Sequence, residues 1–129
     1  MTARGAWVCP ILVDAPDHLV ALADPGRFQQ AVGVLVDNAL THGAGTVRVG
    51  VRRSAGHALV EVTDEGPGVP PGLVPRAFER GVSGAESTGI GLALARALVE
   101  SDGGRLELSR PQPPVFAVYL PLAPEPDGR

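Results

Sequence analysis

The stretch Thr46–Gly68, "TVRVGVRRSAGHALVEVTDEGPG", sets the fold. Val47, Val49 and Val51 alternate with Arg48 and Arg52, and "HALVEVTD" alternates again. A period of two marks half-buried strands, and the intervening "RSAGH" turns them into a hairpin. The second strand closes on the carboxylates Asp64 and Glu65 and runs into "GPGVPPG", which holds three glycines and three prolines. A turn needs fewer. Either this loop is unusually slack, or its backbone must come close to something.

Upstream, "ADPGRF" reads as a helix start, with Asp24 as cap and Pro25 at the first helical position. Val32, Leu35, Val36, Ala39 and Leu40 then form one apolar face, and "HGAG" stops the helix near His42–Gly43. Trp7–Val13 and His18–Ala23 read as short strands around "DAPD". Downstream lies a loop from Glu65 to Ser87, with a short helical piece around Val74–Glu79. "TGIGLALARALVESDGG" is a second helix, apolar at Ile90, Leu94, Leu98 and Val99 and stopped by Gly103. "RLELS" and "VFAVYLP" are the last strands. The sum is an α+β fold: a two-layer α/β sandwich with a mixed sheet of about five or more strands and helices on one face. One domain is expected over residues 1–122, with a flexible polar tail over 123–129.

The 129 residues suit a single core. A net charge of −3 argues against a general nucleic-acid binder. No apolar run reaches the roughly 20 residues of a membrane span, and "MTARGAW" lacks the apolar core of a signal peptide. Direct membrane contact is therefore not expected, and the expected location is cytoplasmic, within a parent that is or is not membrane-anchored. Cys9 is the one cysteine and reads as a small buried hydrophobe in a reducing compartment. All 11 basic residues are arginines. The absence of lysine excludes a Walker-type phosphate loop and a eukaryotic-type protein kinase. Three scattered histidines do not make a zinc site.

Three stretches carry candidate chemistry. Asn38 is a polar residue between Val36 and Ala39; Asp64 closes a strand before Gly66 and Gly68; "STGIGLALA" opens a helix on glycines. Each has a bland reading: a helix-edge amide, an ordinary turn, a capped helix start with small residues for packing. Together they fit a nucleotide. A helix N-terminus offers amide donors to phosphates, and glycines let backbone approach. An amide oxygen suits magnesium. A strand-end carboxylate accepts from an adenine amino group, with glycines leaving room for the base.

The series Asn38, then Asp64-x-Gly66-x-Gly68, then Phe78-Glu79-Arg80, then Gly89-x-Gly91-Leu92 resembles the N, G1, F and G2 boxes of the GHKL (Bergerat-fold) ATP-binding superfamily. "FERG", "TGIGLALARALVESDGGRLEL" and the closing "VYLP" are similar to the catalytic domains of bacterial sensor histidine kinases in particular. The resemblance covers Asp24 to Pro121. It implies ATP and Mg2+ as cofactors and transfer of the γ-phosphate to a histidine. Asn38 would hold magnesium, and Asp64 would recognise adenine. Gly66 and Gly68 would shape the base pocket and hinge a lid over Glu65–Ser87. Thr88, Gly89, Gly91 and Leu92 would serve the phosphates, and Arg80 would add charge there. His42 either contacts the nucleotide or only ends the helix. No catalytic base is assigned.

The implied partners are a histidine-bearing dimerisation domain, in cis or in trans, and a downstream response regulator. No such hairpin is expected before Trp7, so the chain is expected to be a fragment or an orphan domain acting on a partner. The pattern departs from the family at Val34, where a glutamate or asparagine is usual; at Thr41, where a basic residue is common; and at Val115, where a threonine is usual. Valine at 34 weighs against a hydrolase or serine kinase more than against transfer to histidine, and it puts intrinsic ATPase activity in doubt. Two other readings remain: an anti-sigma-factor-type serine kinase of the same fold, and a degenerate nucleotide-binding interaction module.

Overall fold

The computed structural model describes residues 11–14, 19, 21–79 and 91–123. The hairpin forms as its alternation dictates. Strand β2 (Val47–Ser54) pairs antiparallel with β3 (His57–Thr63), Ser54 opposite His57. The two-residue turn has positive φ at both Ala55 (50°) and Gly56 (81°). That is the backbone of a primed turn, whose twist matches that of the strands, and glycine adopts it without steric cost.

Helix α1 spans Pro25–His42. Asp24 caps it, its carboxylate accepting the Arg27 amide at 2.9 Å, and Pro25 opens its first turn. Helix α2 spans Gly91–Ser101 and ends where the Gly104 amide donates back to the Val99 carbonyl. The helices run antiparallel. Arg27, in the first turn of α1, binds Asp102 just past α2 at 2.7 Å, while Val34 packs beside Gly91 at the other end. The Arg27 hydrogen bond holds the Asp102 carboxyl below its ordinary value, and the Asp24 amide, donating to Oδ2, adds to this.

Including β1 (Ile11–Asp14), β4 (Arg105–Pro111) and β5 (Pro114–Pro121), the sheet order is β1-β2-β3-β5-β4. Only β1–β2 is parallel, so the sheet is mixed. Both helices cover one face. Ala31, Leu35 and Ala39 of α1 and Ala95 and Val99 of α2 meet Val47, Val60, Val62, Leu106, Phe116 and Val118 in one core. This is the expected two-layer sandwich. Among the described residues no helix is long and apolar enough to cross a membrane.

Four expectations shift. His18–Ala23 is not a strand among its described residues; Ala21 makes a single bridge to Leu122 instead. Leu40 and Leu94 are exposed, because the small residues Ala31, Ala39 and Ala95 take the positions nearest the sheet and let the helices sit close. The helical piece after the glycine-rich loop is a 3-10 helix, and it spans Pro71–Arg76. Its early start follows from Pro71, whose fixed φ suits a first turn. Finally, Leu59 is buried although it lies outside the core that the helices cover; its cross-strand neighbours are Arg52 and Tyr119. Trp7–Pro10, Ile90 and, beyond Ala123, the polar tail lie outside the described residues.

Candidate functional site

Beyond β3 the chain does not leave the sheet freely. The Glu65 amide donates to the Ala44 carbonyl at 2.8 Å, and the Thr46 amide donates to Glu65 Oε1 at 3.0 Å. Asp64 Oδ1 accepts the amides of Gly66 at 2.6 Å and Ala44 at 3.3 Å. The end of β3 is thus stitched to the connection between α1 and β2. The "HGAG" segment stops the helix as expected and also cradles the carboxylate. A Cβ on Gly43 would collide with the Asp64 carboxyl, and one on Gly66 would lie 2.8 Å from Oδ1.

Taken as a whole residue, Asp64 is the one buried charged residue among the described residues, 7% exposed. Both of its hydrogen bonds fall on Oδ1, so among the described residues Oδ2 has no partner. A buried carboxylate oxygen without a partner is costly unless a ligand or water satisfies it. Asp64 lines a cavity of about 160 Å³, room for one flat ring system. Asn38 and His42, on one face of α1, line the same cavity. Among the described residues the Asn38 amide makes no hydrogen bond and stands available to a ligand. Leu92, in the first turn of α2, and Gly68 line it as well.

Gly68 has φ +76° and passes so close to the Pro111 carbonyl that no side chain fits between them. The following Val69 amide donates to that carbonyl at 3.1 Å. The glycine-rich loop, whose Gly68, Val69 and Pro70 line the cavity, is therefore fastened to the end of β4. Close approach, and not slackness, accounts for glycine at this position.

The structure thus brings Asn38, His42, Asp64, Gly68 and Leu92 around one cavity. Gly66 sits behind Asp64, and Gly91 lies against Val34. Arg80, Thr88 and Gly89 lie outside the described residues. Sequence reasoning missed the apolar wall. Val69, Pro70, Leu73 and Ala77 supply one side, and Pro114 and Phe116 another. "VPPG" was legible only as loop; "PPVF" aligns with the family's last-strand motif near the adenine, but that alignment points to Val115 and not to Pro114 or Phe116.

The family of histidine kinase-, DNA gyrase B- and HSP90-like ATPases matches residues 23–124. The chain belongs to that family. The histidine-protein kinase AfsQ2 of Streptomyces coelicolor is 33% identical over 94% of this chain and 24% of its own length. The probable sensor histidine kinase TcrY of Mycobacterium tuberculosis is 40% identical over 83% of this chain and 25% of its own. The chain therefore spans about a quarter of the length of these curated relatives. Among solved structures, full-length ShkA in complex with AMPPNP superposes with a TM-score of 0.78 at 29% identity, covering 89% of this chain and 26% of that one. This ATPase-family domain thus shares its fold with a protein crystallised in complex with AMPPNP.

Proposed function

We propose that the domain is the ATP-binding catalytic unit of a bacterial two-component sensor histidine kinase. It takes the γ-phosphate of Mg-ATP to a histidine on a separate dimerisation domain, in cis or in trans, from which a response regulator receives it. The observation that carries this reading is the half-satisfied Asp64 carboxylate. Its Oδ1 is fixed by two amides, and Oδ2, without a partner among the described residues, would accept from an amino-bearing heterocycle in the adjoining cavity.

The residues present fit the nucleotide and its metal. Apolar walls from Leu73, Ala77, Leu92 and Phe116 would sandwich a base. Asn38 offers a hard amide oxygen to magnesium, which prefers oxygen ligands and keeps several waters. The metal would neutralise phosphate charge. His42 is exposed on the cavity's rim, within the part of the site nearest Asn38. The roles of Arg80, Thr88 and Gly89 at the phosphates rest on the sequence resemblance alone.

Phosphoryl transfer is mostly positioning and electrostatics. Val34, one helical turn before Asn38, is half-buried against the core and beside Gly91. It has no proton to exchange. Water therefore lacks a base at this position, whereas a neutral imidazole needs none. This favours histidine over serine or water as acceptor.

The test is a calorimetric titration of the domain with ATP, with and without magnesium, beside Asp64→Asn, followed by incubation with a histidine-bearing helical hairpin. Magnesium-dependent binding that weakens sharply in the variant, and acid-labile phosphate on the hairpin, are expected. Acid-stable phosphate on a protein partner would move the reading to a serine kinase. No binding at millimolar ATP would move it to an interaction module.

A further inference from the structure

The 3-10 helix supplies Leu73 to the cavity, and the turn after it supplies Ala77, yet the helix itself buries none of its residues. Something else must hold this wall in place. Phe78, immediately after Ala77, meets Phe116 edge to face, with ring centroids 6.0 Å apart and planes at 83°. Phe116 is 4% exposed and lines the cavity. The Arg96 guanidinium carbon lies 5.0 Å from the centroid of the Phe78 ring. Phe78 is thus held between a fixed aromatic ring of β5 and a cation from α2. Arg96 stands one helical turn beyond Leu92, on the same face, and Leu92 lines the cavity too.

We propose that Arg96 is a positioning residue for the nucleotide site, clamping Phe78 onto Phe116 and so fixing the Leu73–Ala77 wall against the base; this rests on the nucleotide reading above. Arginine suits the place because its planar cation stacks on an aromatic face while its stem stays at the surface. Its Nε also lies 3.4 Å from Glu100 Oε2, an exposed pair spaced i,i+4. Such pairs contribute little on their own, so the aromatic contact is the one that should matter.

The experiment compares the wild-type domain with Arg96→Met, Arg96→Lys and Glu100→Gln. Amide exchange is read in the nucleotide-free domain at Ala77 and Glu79, whose amides donate to Val74 and Arg76 carbonyls. Affinities for adenosine and for ATP are measured in parallel. Arg96→Met is expected to speed exchange at these two amides about threefold to tenfold, leaving the central strands unchanged, and to weaken adenosine and ATP by the same factor. Arg96→Lys, which keeps the cation over the ring, should restore most of both, and Glu100→Gln should stay near wild type. Unchanged exchange in Arg96→Met would overturn the proposal. So would a loss confined to ATP, which means a direct phosphate contact, or an equal loss in Glu100→Gln, which means the ion pair. If the wild-type domain binds neither ligand, the nucleotide reading fails, and the exchange data alone then decide whether Arg96 holds the wall.

Discussion

Asp64 Oδ1 accepts the Gly66 amide at 2.6 Å, and the same oxygen takes the Ala44 amide. The carboxylate is thereby oriented before any ligand arrives, and among the described residues Oδ2 keeps no partner. In Asp64→Asn, the carbonyl oxygen of the new side chain would keep both amides, and its NH2 would face the cavity. A donor would then oppose the amino group of adenine. ATP affinity is expected to fall about 10- to 100-fold, the scale of a hydrogen bond to a charged group. Inosine triphosphate, which presents a carbonyl in place of the amino group, should lose far less. Calorimetry with both nucleotides checks this. Equal losses would mean that Asp64 acts only through the fold.

Gly43→Ala reaches the same carboxylate from behind. The new methyl would overlap the Asp64 carboxyl and lie 2.5 Å from the Ala39 carbonyl oxygen, so either the end of α1 or Asp64 must move. A stability loss of about 1–3 kcal/mol is expected, as for overpacking, accompanied by weaker ATP binding. Urea unfolding and the ATP titration measure the two. Binding that stays at the wild-type level would show that Asp64 keeps its place and that the backbone absorbs the strain.

The hairpin, the capped start of α1 and the glycine stop after α2 were legible because each is set by residues within a few positions. So were Asn38 and Asp64, since polar groups on otherwise apolar elements ask for a reason. Phe116 was not. It borders the cavity only because β5 pairs with β3 so that Phe116 stands opposite Val62, two residues before Asp64. Nothing local in "PPVF" reports that pairing. Leu94 misled in the opposite direction: its apolar spacing on α2 suggested core, but Ala95 takes the inner position and leaves it exposed. His18–Ala23 carries strand-like residues, yet strand formation needs a partner edge, and Ala21 finds only a single bridge.

Two glycines of "GPGVPPG" should behave oppositely. Gly68 has φ +76°, and a side chain there would run into the Pro111 carbonyl. Gly72 has open space around an added Cβ. Gly68→Ala is expected to cost about 2 kcal/mol or more, through backbone strain and the loss of the Val69–Pro111 hydrogen bond. Gly72→Ala should lie within about 0.5 kcal/mol of wild type. Denaturant midpoints for the pair decide it. Similar values would mean that the loop does not need its attachment to the end of β4.

Arg27 and Asp102 tie the start of α1 to the end of α2 at 2.7 Å, and their contribution should depend on pH in one direction. Asp102 is held below its ordinary value of 3.8, chiefly by the Arg27 hydrogen bond. Its folded value is thus lower than its unfolded one. The unfolded state binds the proton more readily, so the contribution is complete above the ordinary value and is lost as pH falls through the folded value. Arg27 is held above its ordinary value and stays charged throughout this range. Melting curves of wild type and Asp102→Asn from about pH 7 to pH 2 should therefore show a constant gap down to about pH 5, which narrows steadily below about pH 4. A gap that persists at the acid end would mean that Asp102 stabilises the helix junction without its charge, as an acceptor for the Asp24 amide alone.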